Sequence, residues 1–220
     1  MLRRSDVTFY ARSRRAHGGR VSCRLLTAHT YPMSKPGNVT LKHRDVSQAA
    51  ALLDSICLLY DTVFSQPPFS WTDDESKHHR QSLTRLITNP TFALVSAEAA
   101  DQLVGFVYGV ALKPGSPWWS GMIEPLADEM TVEWDGRTFA IIDLAVRADY
   151  RKRGIGRALL DTLLVSRQEQ RATLTVQPVA TDTKAFYEYL GWRQVGTIEV
   201  PAGSVSPFFD VYLLSLHVKP

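Results

Sequence analysis

The chain has 220 residues, of which 45% are hydrophobic and 21% are charged, the composition of an ordinary globular protein. Its best apolar stretch, Leu103–Leu112, is about half of the roughly 18 residues needed to cross a bilayer, which excludes a membrane-spanning protein. Two cysteines, Cys23 and Cys57, cannot build a disulfide framework and match no metal-ligand spacing, so we expect a reducing, cytoplasmic setting.

Positive charge is concentrated at the start of the chain. Residues 1–32 hold seven arginines and one acidic residue, so the remaining residues carry a net charge of −3, which disfavours a nucleic-acid-binding face on the folded body. Residues 1–37 have no apolar periodicity and predict a disordered Arg-rich tail before a folded domain over residues 38–220. Alternatives for the tail are a transit peptide, a nucleic-acid-binding arm, or a dispensable extension ahead of a start at Met33.

The first half of the domain predicts helices followed by a hairpin, on the evidence of apolar spacing, capping residues and turn residues. In chain order, the elements are a strand at Val39–His43, a helix from the N-cap Asp45 to about Tyr60, a second helix from Asp73 to about Thr88 capped by Thr72, and paired strands at Thr91–Ala97 and Gln102–Leu112.

The second half predicts an irregular stretch and then alternating strands and helices, which together give an α/β fold with a mixed sheet. The strand Phe139–Val146 is almost wholly apolar, so we expect it to be central and buried on both faces. The remaining elements are the irregular stretch Lys113–Gly136, helices at Gly154–Arg167 and Thr181–Leu190, and strands at Thr173–Gln177, Trp192–Ile198 and Phe208–Leu216.

A basic loop with two glycines joins the apolar strand to the next helix, in the pattern Arg151-x-x-Gly154-x-Gly156. Helix N-termini offer unpaired N–H groups and a partial positive charge, and glycine lets phosphate oxygens approach the backbone. The loop therefore predicts a phosphorylated ligand. It is not a Walker A loop, because Gly156 is followed by Arg157, and it is not a dinucleotide fingerprint, because Leu159 occupies the third glycine position.

This segment resembles motif A of the GNAT N-acetyltransferase superfamily, whose loop reads Gln/Arg-x-x-Gly-x-Gly/Ala. About forty residues later, the stretch from Ala185 to Trp192 is similar to the family's motif B. The resemblance covers about Val39 to Leu216 and implies a mixed, mostly antiparallel sheet with a splayed central pair of parallel strands, flanked by helices.

The resemblance also implies acetyl-CoA as co-substrate and no metal. In the family, the pantetheine arm lies along the motif A strand and the loop amides hold the pyrophosphate. The residues that match are Leu144, Ala145 and Val146 on the strand and Arg151, Lys152, Arg153, Gly154, Ile155, Gly156 and Arg157 in the loop. A family asparagine that contacts the cofactor is missing at the start of motif B, where Thr181 is a substitute.

Two residues are catalytic candidates. Tyr187 matches the family tyrosine that protonates the leaving thiolate, and Asp143 is a carboxylate on an otherwise apolar strand that could act as the general base. Glu133 and Glu129 are the alternatives to Asp143, and water is a further one.

Clues to the acceptor are indirect. Five carboxylates between Gly121 and Gly136 would attract a cationic amine, and Trp118-Trp119 together with Phe64–Phe69 would form an apolar lip. His78 and His79 lie on a charged helix and are expected to be solvated.

The sequence thus predicts an N-acetyltransferase that moves an acetyl group from acetyl-CoA directly to a primary amine of a small molecule or protein. The alternatives are a non-catalytic acyl-CoA-binding regulatory module and a nucleic-acid-binding protein acting through the tail. No membrane partner is expected, and a homodimer is suggested by the resemblance alone.

Overall fold

The structure is a computed structural model that describes residues 39–69, 72–200 and 204–216. The predicted disordered tail, residues 1–37, lies outside these ranges. None of the helices described is both long and apolar enough to cross a bilayer.

The described chain forms seven strands and six helices. The strands are β1 (Thr40–Arg44), β2 (Ala93–Ala99), β3 (Gln102–Ala111), β4 (Thr138–Val146), β5 (Arg171–Val176), β6 (Arg193–Glu199) and β7 (Phe208–Ser215). The helices are α1 (Val46–Ala51), α2 (Leu53–Phe64), α3 (Asp73–Ile87), α4 (Asp128–Thr131), α5 (Ile155–Val165) and α6 (Thr181–Tyr189).

Local capping signals place the first helices as predicted. The side chain of Asp45 accepts the backbone N–H of Gln48 at 2.8 Å, and Thr72 forms the equivalent capping box with Glu75. The predicted helix from Asp45 to Tyr60 is in fact two helices, since α1 ends at Ala51 and α2 begins at Leu53. The predicted irregular stretch contains one short 3₁₀ turn and the four-residue α4.

The strands form one sheet in the order β1-β2-β3-β4-β5-β7-β6, which puts β4 at the centre, as expected from its apolar sequence. All neighbouring pairs are antiparallel except β4 and β5, which run parallel. The predicted mixed, mostly antiparallel sheet with one central parallel pair is confirmed.

The parallel pair separates soon after it begins. Pairing joins Thr138 to Arg171, then two further positions, and ends at Ala140 and Thr173. Beyond this point Ile141–Val146 of β4 and Leu174–Val176 of β5 have no partner in each other, and we call the space between them the β4–β5 gap.

A β-bulge in β4 lies where the gap opens. Gly109 of β3 faces Ile141, whereas Tyr108 faces Asp143, so Ile142 is an extra residue in β4. A bulge bends its strand and increases the local twist. The two strands approach so closely here that a Cβ on Gly109 would lie 2.3 Å from the carbonyl oxygen of Ala140. Glycine at this position therefore allows the distortion that turns β4 away from β5.

Helices cover both faces of the sheet. On one face, helices α1, α2 and α3 pack with β2, β3 and Ala145 of β4. On the same face, the buried turn around Trp118 and Trp119 packs with β6 and β7. Helix α5 and Tyr187 of α6 pack in the core on the opposite face. The C-terminal half of β4 is only partly buried, in contrast to the expected burial on both faces, because it borders the gap.

Candidate active site

The glycine loop forms the N-terminus of α5. Gly154 is the N-cap, with a φ of +78°, a backbone conformation that other residues seldom adopt. A Cβ at Gly154 would meet no described atom within 4 Å, so the surface above it is open. The first α5 residues to follow, Ile155, Gly156 and Arg157, have N–H groups without an intrahelical acceptor. This end of α5 can therefore accept an anion.

The predicted basic side chains around this loop make contacts within the protein. Arg151 donates from Nε to the carbonyl oxygen of Val146 at 3.0 Å, and Arg157 donates to Asp161 at 3.3 Å. The guanidinium of Arg153 lies 5.1 Å from the centre of the Tyr150 ring. Lys152 has a φ of +59°. Arg151, Arg153 and Arg157 thus each contact another residue of the protein close to the N-terminus of α5.

Two of the strand residues predicted to bind the pantetheine arm point their main-chain groups into the β4–β5 gap. The N–H of Arg147 donates to Val104 of β3 at 2.8 Å, and antiparallel pairing alternates along a strand, so Ala145 also pairs with β3. Leu144 and Val146 therefore direct their N–H and C=O groups away from β3. In contrast to the prediction for Ala145, its main-chain groups face β3, and its buried side chain packs against α1–α3.

A cavity of about 170 Å³ passes through the gap. Its walls come from both faces of the sheet, with Tyr60, Phe64 and Phe69 on the α2 side and Ala180 and Tyr187 on the α6 side. The strand residues between these two ends include Ile141–Leu144 of β4 and Leu174–Val176 of β5. The cavity therefore connects the two faces of the sheet at the point where β4 and β5 separate.

Asp143 lines this cavity and is held by phenols. The Tyr108 hydroxyl donates a hydrogen bond to Asp143 Oδ2, and the Tyr60 hydroxyl also hydrogen-bonds this carboxylate. Burial raises the pKa of Asp143 from 3.8 to about 7, against the two phenol hydrogen bonds, which lower it. The carboxylate consequently changes its protonation state near neutral pH.

His79 contacts both phenols, Tyr60 and Tyr108, and the expectation that it is solvated is wrong. Its side chain is 2% exposed, its ring stacks on Tyr60 at 3.6 Å between centroids, and its Nε2 lies 3.1 Å from the Tyr108 hydroxyl. Burial lowers the pKa of His79 to about 3, so the ring is neutral. Because the Tyr108 proton goes to Asp143, we assign Nε2–H as the donor to Tyr108.

The position of His79 has a sequence signal. It precedes Leu83 by four residues and Leu86 by seven, which places it on the buried stripe of α3. Tyr60, which occupies the apolar face of α2, and Tyr108 of β3 also belong to the site, although sequence reasoning gave them no role in it. Nothing in their local sequence shows that they converge on Asp143, because three separate elements bring them there.

Tyr187 faces the cavity from the opposite side. It is 5% exposed, and its ring packs against Trp192 and Tyr212 at centroid distances of 5.7 and 6.5 Å. Burial, with a smaller contribution from the charge of Asp143, raises the pKa of the Tyr187 phenol above its usual 10. Tyr189, two residues later, is 81% exposed, as helical geometry predicts.

The alternative bases lie elsewhere. Glu133 is buried and bonds Trp119 Nε1 at 2.8 Å and the Arg171 guanidinium at 2.9 Å, which is a structural role. Glu129 is exposed at the surface. The expectation that the acidic stretch forms an acceptor wall is not met, since none of its five carboxylates lines the cavity, and Glu75 of α3 does so instead.

Some of the residues expected to form the apolar lip line the cavity. Phe64 and Phe69 line the cavity as a pair 4.9 Å apart, and Trp118 joins them, whereas Trp119 is buried in the core. Thr183 lines the cavity, but Thr181 does not. In the part of the chain that the structure describes, no three His, Cys, Asp or Glu side chains are grouped as metal ligands.

The raised pKa of Asp143 predicts how stability depends on pH. Between pH 4 and 7 the folded protein keeps a proton on Asp143 that the unfolded chain has released, so this group destabilises the fold progressively as pH rises. The Asp143→Asn variant has no such proton. The difference in unfolding free energy between this variant and the wild type, measured by urea denaturation, should grow in favour of the variant by up to about 1.4 kcal/mol per pH unit over this window. Above pH 7 the difference should stay constant.

Asp149 supplies the opposite control. The hydrogen bond from Arg147 lowers the pKa of Asp149, so the wild type should lose stability relative to Asp149→Asn as pH falls through that lowered value. A difference between Asp143→Asn and wild type that is constant from pH 4 to pH 8 would contradict the assignment of a raised pKa to Asp143.

Comparisons with known proteins agree with this geometry. The model of the acetyltransferase (GNAT) family matches residues 56–192, from α2 to the residue that follows Gly191. No curated protein matches the sequence.

Solved structures share the fold at low sequence identity. An aminoglycoside 6'-N-acetyltransferase complexed with coenzyme A has a TM-score of 0.56 at 18% identity over 82% of this chain and 99% of its own. The ribosomal-protein-S18-alanine N-acetyltransferase from Escherichia coli has a TM-score of 0.54 at 14% identity over 83% of this chain and 97% of its own. The PaiA N-acetyltransferase from Thermoplasma acidophilum, in complex with coenzyme A, has a TM-score of 0.51 at 13% identity over 81% of this chain and 99% of its own.

The family match covers more than half of the chain and includes both the α5 loop and Tyr187. The chain belongs to the GNAT acetyltransferase family.

Proposed function

We propose that this acetyltransferase moves the acetyl group of acetyl-CoA directly to a primary amine while both substrates are bound. One observation carries the proposal: a cavity crosses the β4–β5 gap, with Asp143 and Tyr187 among its walls. A nucleophile entering from the α2 side and a thioester entering from the α6 side would meet between these two groups.

The residues present fit acetyl-CoA on two independent points. The N-terminus of α5 offers amides and an open surface above Gly154, which suits a pyrophosphate. Leu144 and Val146 offer main-chain groups on the gap side, which suit the amides of a pantetheine arm, and Val146 already accepts a hydrogen bond there from Arg151. Acetyl-CoA supplies the activated acyl carbon and a thiol leaving group.

Asp143 serves as the proton acceptor for the amine. A primary amine reaches the cavity as an ammonium ion and must lose a proton before its nitrogen can attack. A carboxylate with a pKa of about 7 is largely ionised at slightly alkaline pH and close enough in proton affinity to work as a base. Tyr60 and Tyr108 fix its orientation, and neutral His79 holds Tyr108. Asp143 is thus the base that the site supports best.

Tyr187 serves as the proton donor to sulfur. Its raised pKa keeps the phenol protonated throughout the working pH range. A thiolate is also destabilised in a poorly solvated cavity, so its affinity for a proton rises in the same way. As the carbon–nitrogen bond forms and the carbon–sulfur bond breaks, the phenol proton passes to sulfur.

The reaction balances without a further reagent. The ammonium form of the substrate and the thioester give an amide, a free thiol and one proton. Asp143 takes the first proton from nitrogen, passes it to solvent, and takes the second as the carbon–nitrogen bond forms. Tyr187 gives its proton to sulfur and regains one from solvent, and Asp143 is restored by the same exchange. A cytoplasmic location and a homodimer stay predictions of the sequence.

The Gly154→Asp variant tests the anion site. The new carboxylate would stand at the α5 N-terminus, so we expect the Kd for coenzyme A, measured by calorimetry, to rise at least about tenfold. Gly136→Asp is the matched control, because Gly136 also has a positive φ, of +81°, and open space around it, and it lies ahead of β4. Equal affinities in the two variants would contradict the assignment.

The Tyr187→Phe variant tests the proton donor. Loss of the phenol should lower kcat by about 10²-fold, the scale of one acid–base catalyst, while the affinity for coenzyme A stays unchanged. Tyr189→Phe, on the exposed side of the same helix, is the control and should be fully active.

Unchanged turnover in Tyr187→Phe would remove Tyr187 from this role. Coenzyme A binding with no turnover of any amine by the wild type would instead support the non-catalytic acyl-CoA-binding module.

A further inference from the structure

We infer that the acceptor is a small amine with an aromatic or compact apolar body, a single positive charge and no carboxylate. The inference rests on the proposed function, since it concerns the acceptor end of the same cavity. It is carried by the side chains that face this end and by their charges.

The acceptor end is lined mainly by aromatic rings. Phe64, Phe69 and Tyr60 form the α2 side, and Trp118 and Phe209 close the opposite side. Tyr60 and Phe64 lie 4.3 Å apart between ring centroids, and Phe64 and Phe69 lie 4.9 Å apart. Aromatic surface of this kind stabilises an apolar body and leaves hydroxyl groups without partners.

The charges at this cavity favour a cation. Its lining includes the carboxylates of Glu75 and Asp143 and the imidazole of His78, and no lysine or arginine of the described chain lines it. A negative charge on the substrate would therefore face carboxylates without a guanidinium or ammonium partner. An amino acid, whose carboxylate lies next to its amine, is disfavoured for this reason.

The size of the cavity limits the body of the acceptor. The whole cavity measures about 170 Å³, close to the roughly 150 Å³ of an apolar protein cavity that holds benzene, and its α6 end is needed for the thioester. The acceptor end can therefore enclose no more than about one aromatic ring. A polyhydroxylated polycation would need several carboxylates and many hydrogen-bond partners, whereas the four exposed carboxylates Glu124, Asp128, Glu129 and Asp135 lie outside the cavity.

A matched panel of amines tests the inference on the full chain. The kcat/KM for acetyl transfer is measured by thiol release with 2-phenylethylamine, ethanolamine, phenylalanine and kanamycin. The kcat/KM for phenylethylamine should exceed that for ethanolamine by about 10-fold to 100-fold, the effect of burying one ring. The kcat/KM for phenylalanine should lie below that for phenylethylamine by at least the same factor.

Two variants of cavity-lining residues, with one control variant outside the cavity, test which side chains recognise the acceptor. Glu75→Gln keeps the capping box with Thr72 but removes the charge, so kcat/KM for phenylethylamine should fall by about threefold to tenfold, with the affinity for coenzyme A unchanged. Glu124→Gln, in the exposed acidic stretch, should behave as the wild type. Phe69→Ala should reduce the preference for phenylethylamine over ethanolamine.

Binding is measured as well, by calorimetry of phenylethylamine with the protein saturated in coenzyme A, so that the result does not depend on turnover. Binding of phenylethylamine tighter than that of the other three amines supports the inference. Kanamycin or phenylalanine as the better substrate would overturn the inference and leave acetyl transfer intact. No binding of phenylethylamine would also overturn it, whereas failure of coenzyme A to bind would overturn the proposed function itself.

Discussion

The site depends on the early end of pairing between β4 and β5. A central parallel pair normally continues its ladder, but here the ladder stops after three positions, where the bulge at Ile142 turns β4 away. Main-chain N–H and C=O groups left without partners inside a sheet carry a free-energy cost unless water or a ligand satisfies them. Leu144 is in this position, and Val146 directs its N–H group into the gap while its carbonyl oxygen accepts from Arg151. The gap can therefore take a ligand that hydrogen-bonds to β4 as a strand would.

A second constraint is the burial of Asp143. Removing an ionised carboxylate from water is costly, and two phenol hydrogen bonds offset only part of this cost, so its pKa stays near 7. His79 lies 3.8 Å from the same carboxylate, and its burial keeps it neutral. The network therefore orients the carboxylate without neutralising it by an ion pair. A structural carboxylate has the opposite arrangement in this protein, as Glu133 shows by pairing with Arg171.

Several of these features could be read from sequence. Gly154 and Gly156 at the start of a helix, the apolar strand before them, and Tyr187 at the matching distance predicted both the family and the α5 loop. Thr72 and Asp45 predicted where helices begin, because a cap is a local interaction. The convergence of Tyr60, His79 and Tyr108 on Asp143 could not be predicted, since it requires α2, α3 and β3 to pack together. The prediction that the acidic stretch forms an acceptor wall failed for a related reason. Glu133 of this stretch pairs with Arg171, 38 residues later, a long-range contact that the local sequence does not show.

We propose that coenzyme A lies in the β4–β5 gap and hydrogen-bonds the gap side of β4. Amide hydrogen exchange, followed residue by residue by NMR with and without saturating coenzyme A, tests this directly. We expect the amides of Leu144 and Val146 to become protected, while that of Ala145, already paired with β3, changes little. Unchanged exchange at Leu144 and Val146, under conditions where coenzyme A is bound, would contradict it.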